Sequence, residues 1–153
     1  MHVPHPEIFK AYDIRGIVGK SLTADIVEQI GRAIGTEALA AGDRAVIVGR
    51  DGRLSGPTIA GALMDGICAT GCDAVDIGMV PTPLTYFATQ SLDIGSAVSV
   101  TGSHNPPNYN GLKVMIGTHT LAAERIQDLR KRIEDQAFSV GTGQRHIEDV
   151  VPE

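Results

Sequence analysis

Apolar positions along this chain switch between two periods. From Thr23 to Gly42, residues Ile26, Ile30, Ala33, Ile34 and Ala38 recur at helical spacing, with Thr23 suited to an N-cap and Gly42 to a stop. Ala45-Val46-Ile47-Val48 follows as a continuous apolar run, the pattern of a short buried strand. Ser55-Gly56-Pro57 opens a second helix, marked by Ile59, Leu63 and Ile67 and closed near Gly71; proline fits the first turn because its missing N–H has no intrahelical partner there. Ala74-Val75-Asp76-Ile77 predicts another strand, and Thr82-Pro83 introduces a third helix carrying Leu84, Phe87 and Ala88. Two strands are predicted at Ala97 to Val100 and Leu112 to Ile116. The last helix has an apolar stripe of Ile126, Leu129 and Ile133 and a charged face of Glu124, Arg125, Arg130, Lys131 and Glu134. At the N-terminus, the segments Phe9 to Ile14 and Ile17-Val18 predict a small ribbon around Arg15-Gly16, and Ile147 with Val150-Val151 predicts one further strand.

Strands alternating with helices imply right-handed crossovers. The expected fold class is therefore α/β: a mixed, mostly parallel sheet with helices on both faces, in one domain spanning 1–153. The two strands at Ala97 and Leu112 are the exception. The segment joining them contains no helix, so they are expected to run antiparallel. In such sheets ligands gather beyond the carboxyl ends of the strands. Three loops, at Gly49 to Gly56, Pro81 to Pro83 and Thr101 to Gly111, are expected to meet at that edge.

A net charge of −5 lacks the basic excess of a nucleic-acid surface, and no apolar stretch reaches membrane-spanning length. The opening Met1-His2-Val3-Pro4-His5-Pro6 has no apolar core of a signal peptide, which leads to the expectation of a soluble cytoplasmic protein. Cys68 and Cys72, four apart, are expected on one face of the second helix as buried, reduced thiols rather than metal ligands.

The loop Thr101-Gly102-Ser103-His104-Asn105-Pro106-Pro107-Asn108-Tyr109-Asn110-Gly111 carries the chemistry. Turn formation accounts for its Asn, Pro and Gly residues, but not for Ser103-His104 or for Lys113 just beyond it. A serine hydrolase would show Gly-x-Ser-x-Gly leading into a helix, whereas this loop leads into a strand. Basic residues Arg15, His104 and Lys113 around a serine instead suit a phosphate. Each has a plainer reading beside it. Lys113 is either a solvated residue of an edge strand or a general acid/base; Arg15 is either a surface partner of Asp13 or a phosphate ligand. Arg50, Asp51 and Arg53 read first as an ion-pair cluster, and His2, His5, His119 and His146 are given no role.

TGSHNPPNYNGLK, together with FKAYDIRG, GRDGRLSG and VPTPLTYFA in the same order, resembles the first domain of the α-D-phosphohexomutases, most closely the bacterial phosphomannomutase/phosphoglucomutase group. The resemblance implies that Ser103 is a phosphoserine exchanging its phosphoryl group with hexose 1- and 6-phosphates through a 1,6-bisphosphate. It also implies that Arg15 and Lys113 assist proton transfer and hold the phosphate, and that Tyr12 and His104 line the site. Arg50, Asp51 and Arg53 would buttress the site, and Asn105 and Asn110 would support the loop. Mg²⁺ is implied beside the phosphate on Ser103, with its carboxylates on a later domain. The implied partners are the hexose phosphate and the remaining domains of a four-domain enzyme; none of the later motifs occurs here, so no turnover is expected of this chain alone. Two alternatives stand beside this reading: a phosphoglucosamine mutase domain, and a non-catalytic phosphate-binding module.

Overall fold

The computed structural model describes residues 4–102 and 105–148. Its elements in chain order are β1 (Ile14–Ile17), α1 (Ala24–Ala40), β2 (Ala45–Arg50), α2 (Gly56–Cys68), β3 (Asp73–Met79) and α3 (Thr82–Ser91), then β4 (Ser96–Val100), β5 (Tyr109–Ile116), β6 (His119–Thr120), α4 (Glu124–Glu134) and β7 (Arg145–Ile147). One mixed sheet runs β1-β5-β4-β2-β3-β7, with β6 beside β5. β2 pairs in parallel with β3 and β4, and β3 with β7, whereas β5 is antiparallel to β1, β4 and β6. The sheet thus has a parallel half and an antiparallel half, and β5 sits inside it rather than at an edge.

Two apolar cores flank the sheet. The larger joins α1, α2 and α4 to one face through Ile30, Ile34, Leu63, Leu112, Val114, Leu129 and Ile133. The smaller lies under α3 on the other face, around Ile47, Val75, Ile77, Ala88 and Ala97. Helix α1 starts where the Thr23 hydroxyl accepts the Ile26 N–H, and Gly42 beyond its end has φ +92, a conformation that costs other residues steric strain.

Several local expectations need correction. Helix α2 stops at Cys68, so Cys72 lies in the turn before β3; the thiols do not share a helix face. Both are free, Cys68 half-buried and Cys72 fully buried, and burial pushes the Cys72 thiol up to about 12. The N-terminal segment forms no separate ribbon. Residues Ile14 to Ile17 instead pair with Leu112 to Tyr109 as the edge strand of the main sheet, and Phe9 makes only an isolated bridge to Ile14. The last strand, β7, contains the expected Ile147; Val150 and Val151 lie outside the described residues.

Candidate active site

Parallel strands deliver their C-terminal ends to one edge, and β2 and β4 bring two loops together there. Asp51, directly after β2, accepts hydrogen bonds at Oδ2 from the Thr101 hydroxyl (2.9 Å) and the Gly102 N–H (3.1 Å), while its Oδ1 accepts from the Arg53 N–H (3.1 Å). Arg53 reaches the far side of the same loop. Its guanidinium donates to the carbonyls of Asn105 (2.8 Å), Pro106 (2.7 Å) and Tyr109 (3.2 Å), and its Nε lies 3.4 Å from Asp51 Oδ2. A Cβ at 102 would run into the Arg53 guanidinium, so any residue but glycine there requires Arg53 to shift. The 101–108 loop is therefore gripped before and after residues 103–104. Gly102 and Asn105 are also joined to each other, the Gly102 carbonyl accepting from the Asn105 backbone N–H and side-chain amide, both at 2.9 Å.

Ser103 and His104 themselves lie outside the described residues. Arg15 reaches the loop at Asn105: its Nη1 donates to Asn105 Oδ1 at 3.4 Å, and its Nε pairs with Asp13 at 3.0 Å. Arg15 is the cross-strand partner of Gly111, and Lys113, two residues further along β5, lies opposite Ser99. Directly paired residues share a sheet face, so Arg15 and Lys113 project on the same side, on a diagonal of about 7–8 Å between Cβ positions. That is the α3 side, where Ser99 meets the Thr82 hydroxyl at 3.2 Å. Because β5 is flanked by β1 and β4, Lys113 is half-buried and not an edge-strand lysine.

The remaining residues divide. Asn110 faces the opposite side, is fully buried, and donates to Ser55 Oγ at 2.9 Å, tying β5 to the start of α2. Arg50 turns away to Asp76, 3.6 Å distant. Tyr12 is 77% exposed on the segment before β1 and does not line the groove that holds Arg15. That groove, of about 590 Å³, is lined by Lys10, Arg15, Lys20, Ser21, Asn105 and Tyr109 among others. Lys10 and Lys20 were given no part by the sequence. Their even spacing about Arg15 is visible there, but only the turn at Lys20 to Leu22, closed by bonds to the Ile17 carbonyl, brings them to one place.

A divalent metal needs several oxygen ligands. Among the described residues no group of three His, Cys, Asp or Glu side chains converges, and Asp51, the carboxylate nearest the loop, is committed to Thr101, Gly102 and Arg53. The described residues do not make a magnesium site by themselves. No helix among them is long and apolar enough to cross a membrane.

The family model described as phosphoglucomutase/phosphomannomutase, alpha/beta/alpha domain I, matches residues 6–140. A protein of Pseudomonas aeruginosa named phosphomannomutase/phosphoglucomutase is 52% identical over 95% of this chain and 31% of its own length. A phosphoglucomutase of Neisseria gonorrhoeae is 51% identical over 86% of this chain and 29% of its own. The crystal structure of a phosphoglucomutase/phosphomannomutase family protein from Burkholderia thailandensis superposes with a TM-score of 0.89 at 52% identity, covering 94% of this chain and 33% of that one. The chain spans about a third of the length of these relatives.

Proposed function

This chain belongs to the phosphoglucomutase/phosphomannomutase family as its α/β/α domain I, and we propose that it is the phosphoserine-bearing domain of a larger phosphohexomutase. In this reading Ser103 carries the phosphoryl group. A hydroxyl oxygen of a hexose phosphate attacks the phosphorus and gives up its proton, the bond from phosphorus to Ser103 Oγ breaks, and Ser103 Oγ takes up a proton as it leaves; Lys113 is the candidate for this proton exchange. The product is a 1,6-bisphosphate. Return of its other phosphate to Ser103 reverses each bond change, and the net result moves phosphate between C1 and C6. Arg15 offsets charge on the phosphoryl oxygens, and His104 contributes to the wall of the site. Such transfers depend on positioning and charge neutralisation more than on covalent help. The Mg²⁺ that the family resemblance implies would act as a further electrostatic partner of the phosphate, with carboxylates supplied from outside this chain.

The observation that carries this reading is the two-sided grip on the 101–108 loop by Asp51 and Arg53, beside the Arg15 guanidinium. A turn serving only to join two strands needs no such scaffold, whereas a serine that must face an incoming hydroxyl repeatedly does. Intact-protein mass spectrometry with peptide mapping should find phosphate on the peptide holding Ser103. In the whole enzyme Ser103→Ala should remove nearly all mutase turnover, and near-normal turnover by that variant would refute the assignment. Names of relatives favour mannose and glucose phosphates as substrates, and cytoplasmic residence follows from that metabolic role.

A further inference from the structure

The apolar core beneath α3 stops partway along the sheet. Ile47 and Ala97 pair across β2 and β4 inside it, and two residues nearer the carboxyl edge Gly49 and Ser99 take their places on the same face. Across from Ser99, on β5, stands Lys113. Helix α3 covers this level with two more hydroxyls. Thr82 Oγ1 lies 3.2 Å from Ser99 Oγ, and Thr85 Oγ1 sits over Gly49 without a hydrogen-bond partner. Ser99 is 1% exposed, and a buried hydroxyl is unfavourable unless its bonds are made. Packing alone is satisfied by an alanine, as at position 97.

Thr82 supplies one partner for Ser99, and the register offers Lys113 as the other. Directly opposed side chains stand about 4.5–5.5 Å apart at Cβ, a gap that a lysine stem can bridge. Lys113 is half-buried, and no carboxylate lies within ion-pair distance of it among the described residues. Arg15 shares its face, the Arg15 stem crossing Gly111 on the way to the loop. An amine placed beside a guanidinium, with no anion of its own, depends on neutral partners.

We propose that Ser99 is a positioning residue for Lys113, with Thr82 behind it, and that this hydroxyl pair bonds Lys113 in both of its charge states. When Lys113 is charged it donates to Ser99 Oγ, and the Ser99 hydroxyl turns to donate to Thr82 Oγ1. When Lys113 is neutral the Thr82 hydroxyl donates to Ser99 Oγ, and the Ser99 hydroxyl turns to the lysine lone pair. Both hydroxyls rotate and neither loses its proton. The amine thus keeps its place through each proton exchange. The role of Lys113 rests on the function proposed above; the hydroxyl pair and its register rest on the structure alone.

The test is steady-state kinetics of the whole enzyme. Ser99→Ala should lower kcat roughly tenfold, the size of one hydrogen bond to a charged group, and leave KM unchanged because the buried hydroxyl does not meet substrate. Thr82→Val keeps the side-chain shape without the hydroxyl and should lower kcat about threefold, while Thr82→Ser should retain normal turnover. These two variants carry the test where Ser99→Ala impairs folding. Thr85→Val is the matched control on the same face of α3; its hydroxyl has no partner, so kcat should not change. In a Lys113→Met background Ser99→Ala should cause no further loss, since it acts through the missing amine. Unchanged kcat in Ser99→Ala, a rise in KM in its place, equal losses in Thr82→Val and Thr85→Val, or a full further loss in the Lys113→Met background each overturns the pair's role and leaves Lys113 as the proton exchanger. Near-normal turnover by Lys113→Met itself overturns the reading of Lys113 and this inference with it.

Discussion

Two aspartates at opposite ends of the central strands do the same job with different hardware. Asp51 follows β2 and fastens the 101–108 loop; Asp73 begins β3 and fastens the strap that contains β7. Each carboxylate accepts a backbone N–H from a segment distant in sequence, Gly102 in one case and Gln144 at 2.8 Å in the other. They differ in their second partner. Asp51 is backed by Arg53, whose side chain is only 16% exposed and extends across the loop to three carbonyls. Asp73 has His146 at 3.1 Å, itself 51% exposed, and β7 is exposed throughout. A partly buried guanidinium bonds several acceptors at fixed angles. An exposed imidazole has only two ring nitrogens to offer. The first arrangement suits a loop whose position matters for chemistry. The second suits a segment that only closes the edge of a sheet.

Removing Asp51 is the most damaging way to break this contrast. Asp51→Ala takes away the acceptor for the Thr101 hydroxyl and for the Gly102 and Arg53 N–H groups together. The expected loss is about 2–3 kcal/mol, that of leaving partly buried donors unmatched, measured by chemical denaturation. Asp73→Ala in the same assay should cost well under half as much, because exposed pairs contribute little. Equal losses at the two sites would mean that Arg53 adds no rigidity.

Gly102→Ala attacks the same clamp from its other side. The new methyl would sit where the Arg53 guanidinium now lies, so Arg53 must shift and some of its carbonyl bonds must break. We expect a cost of about 1–3 kcal/mol, the usual range for overpacking. In the whole enzyme turnover should fall further than this loss of stability explains. A Gly102→Ala enzyme with normal turnover would show that loop position does not depend on the Arg53 contact.

The contrast also separates what the sequence disclosed from what it withheld. The helices were legible because Ile26, Ile30 and Ile34 or Ile126, Leu129 and Ile133 repeat at the period of one buried face. The antiparallel turn at β4 and β5 was legible because the segment joining them carries no helical pattern for a crossover. β1 was misread because four residues, IRGI, carry almost no periodic signal; their place is set by β5, nearly a hundred positions away. Arg53 was expected to buttress the site, but reach and geometry are not written in GRDGRLSG, which reads equally well as a solvated ion-pair cluster. The segregation of Arg15 and Lys113 onto one face, with Asn110 on the other, needed the register between β1 and β5.

The smallest expected effect lies at Asp73 and is visible only through a reporter. The strap grips the turn before β3 by backbone bonds, Gly143 N–H to the Cys68 carbonyl at 2.8 Å and Gly141 N–H to the Ala69 carbonyl at 3.0 Å. Cys72, fully buried in that turn with its thiol pushed up to about 12, reacts with alkylating reagents only when the turn opens, whereas half-buried Cys68 reacts sooner. Asp73→Ala should raise the Cys72 labelling rate roughly threefold, the size of one exposed ion pair, while Asp51→Ala leaves it unchanged as long as the fold is intact. The Gln144 N–H, aided by His146, holds the Asp73 carboxyl below its ordinary range. Its contribution is therefore present at neutral pH and is lost as pH falls below about 4 and through the depressed folded value. Acid should accordingly loosen the strap in the native chain and have less effect on the Asp73→Ala strap. Amide hydrogen exchange at Gln144 to Ile147 reads this difference directly, since alkylation slows in acid as the thiolate disappears. Identical acid dependence in the two chains would remove Asp73 as the fastening of that edge.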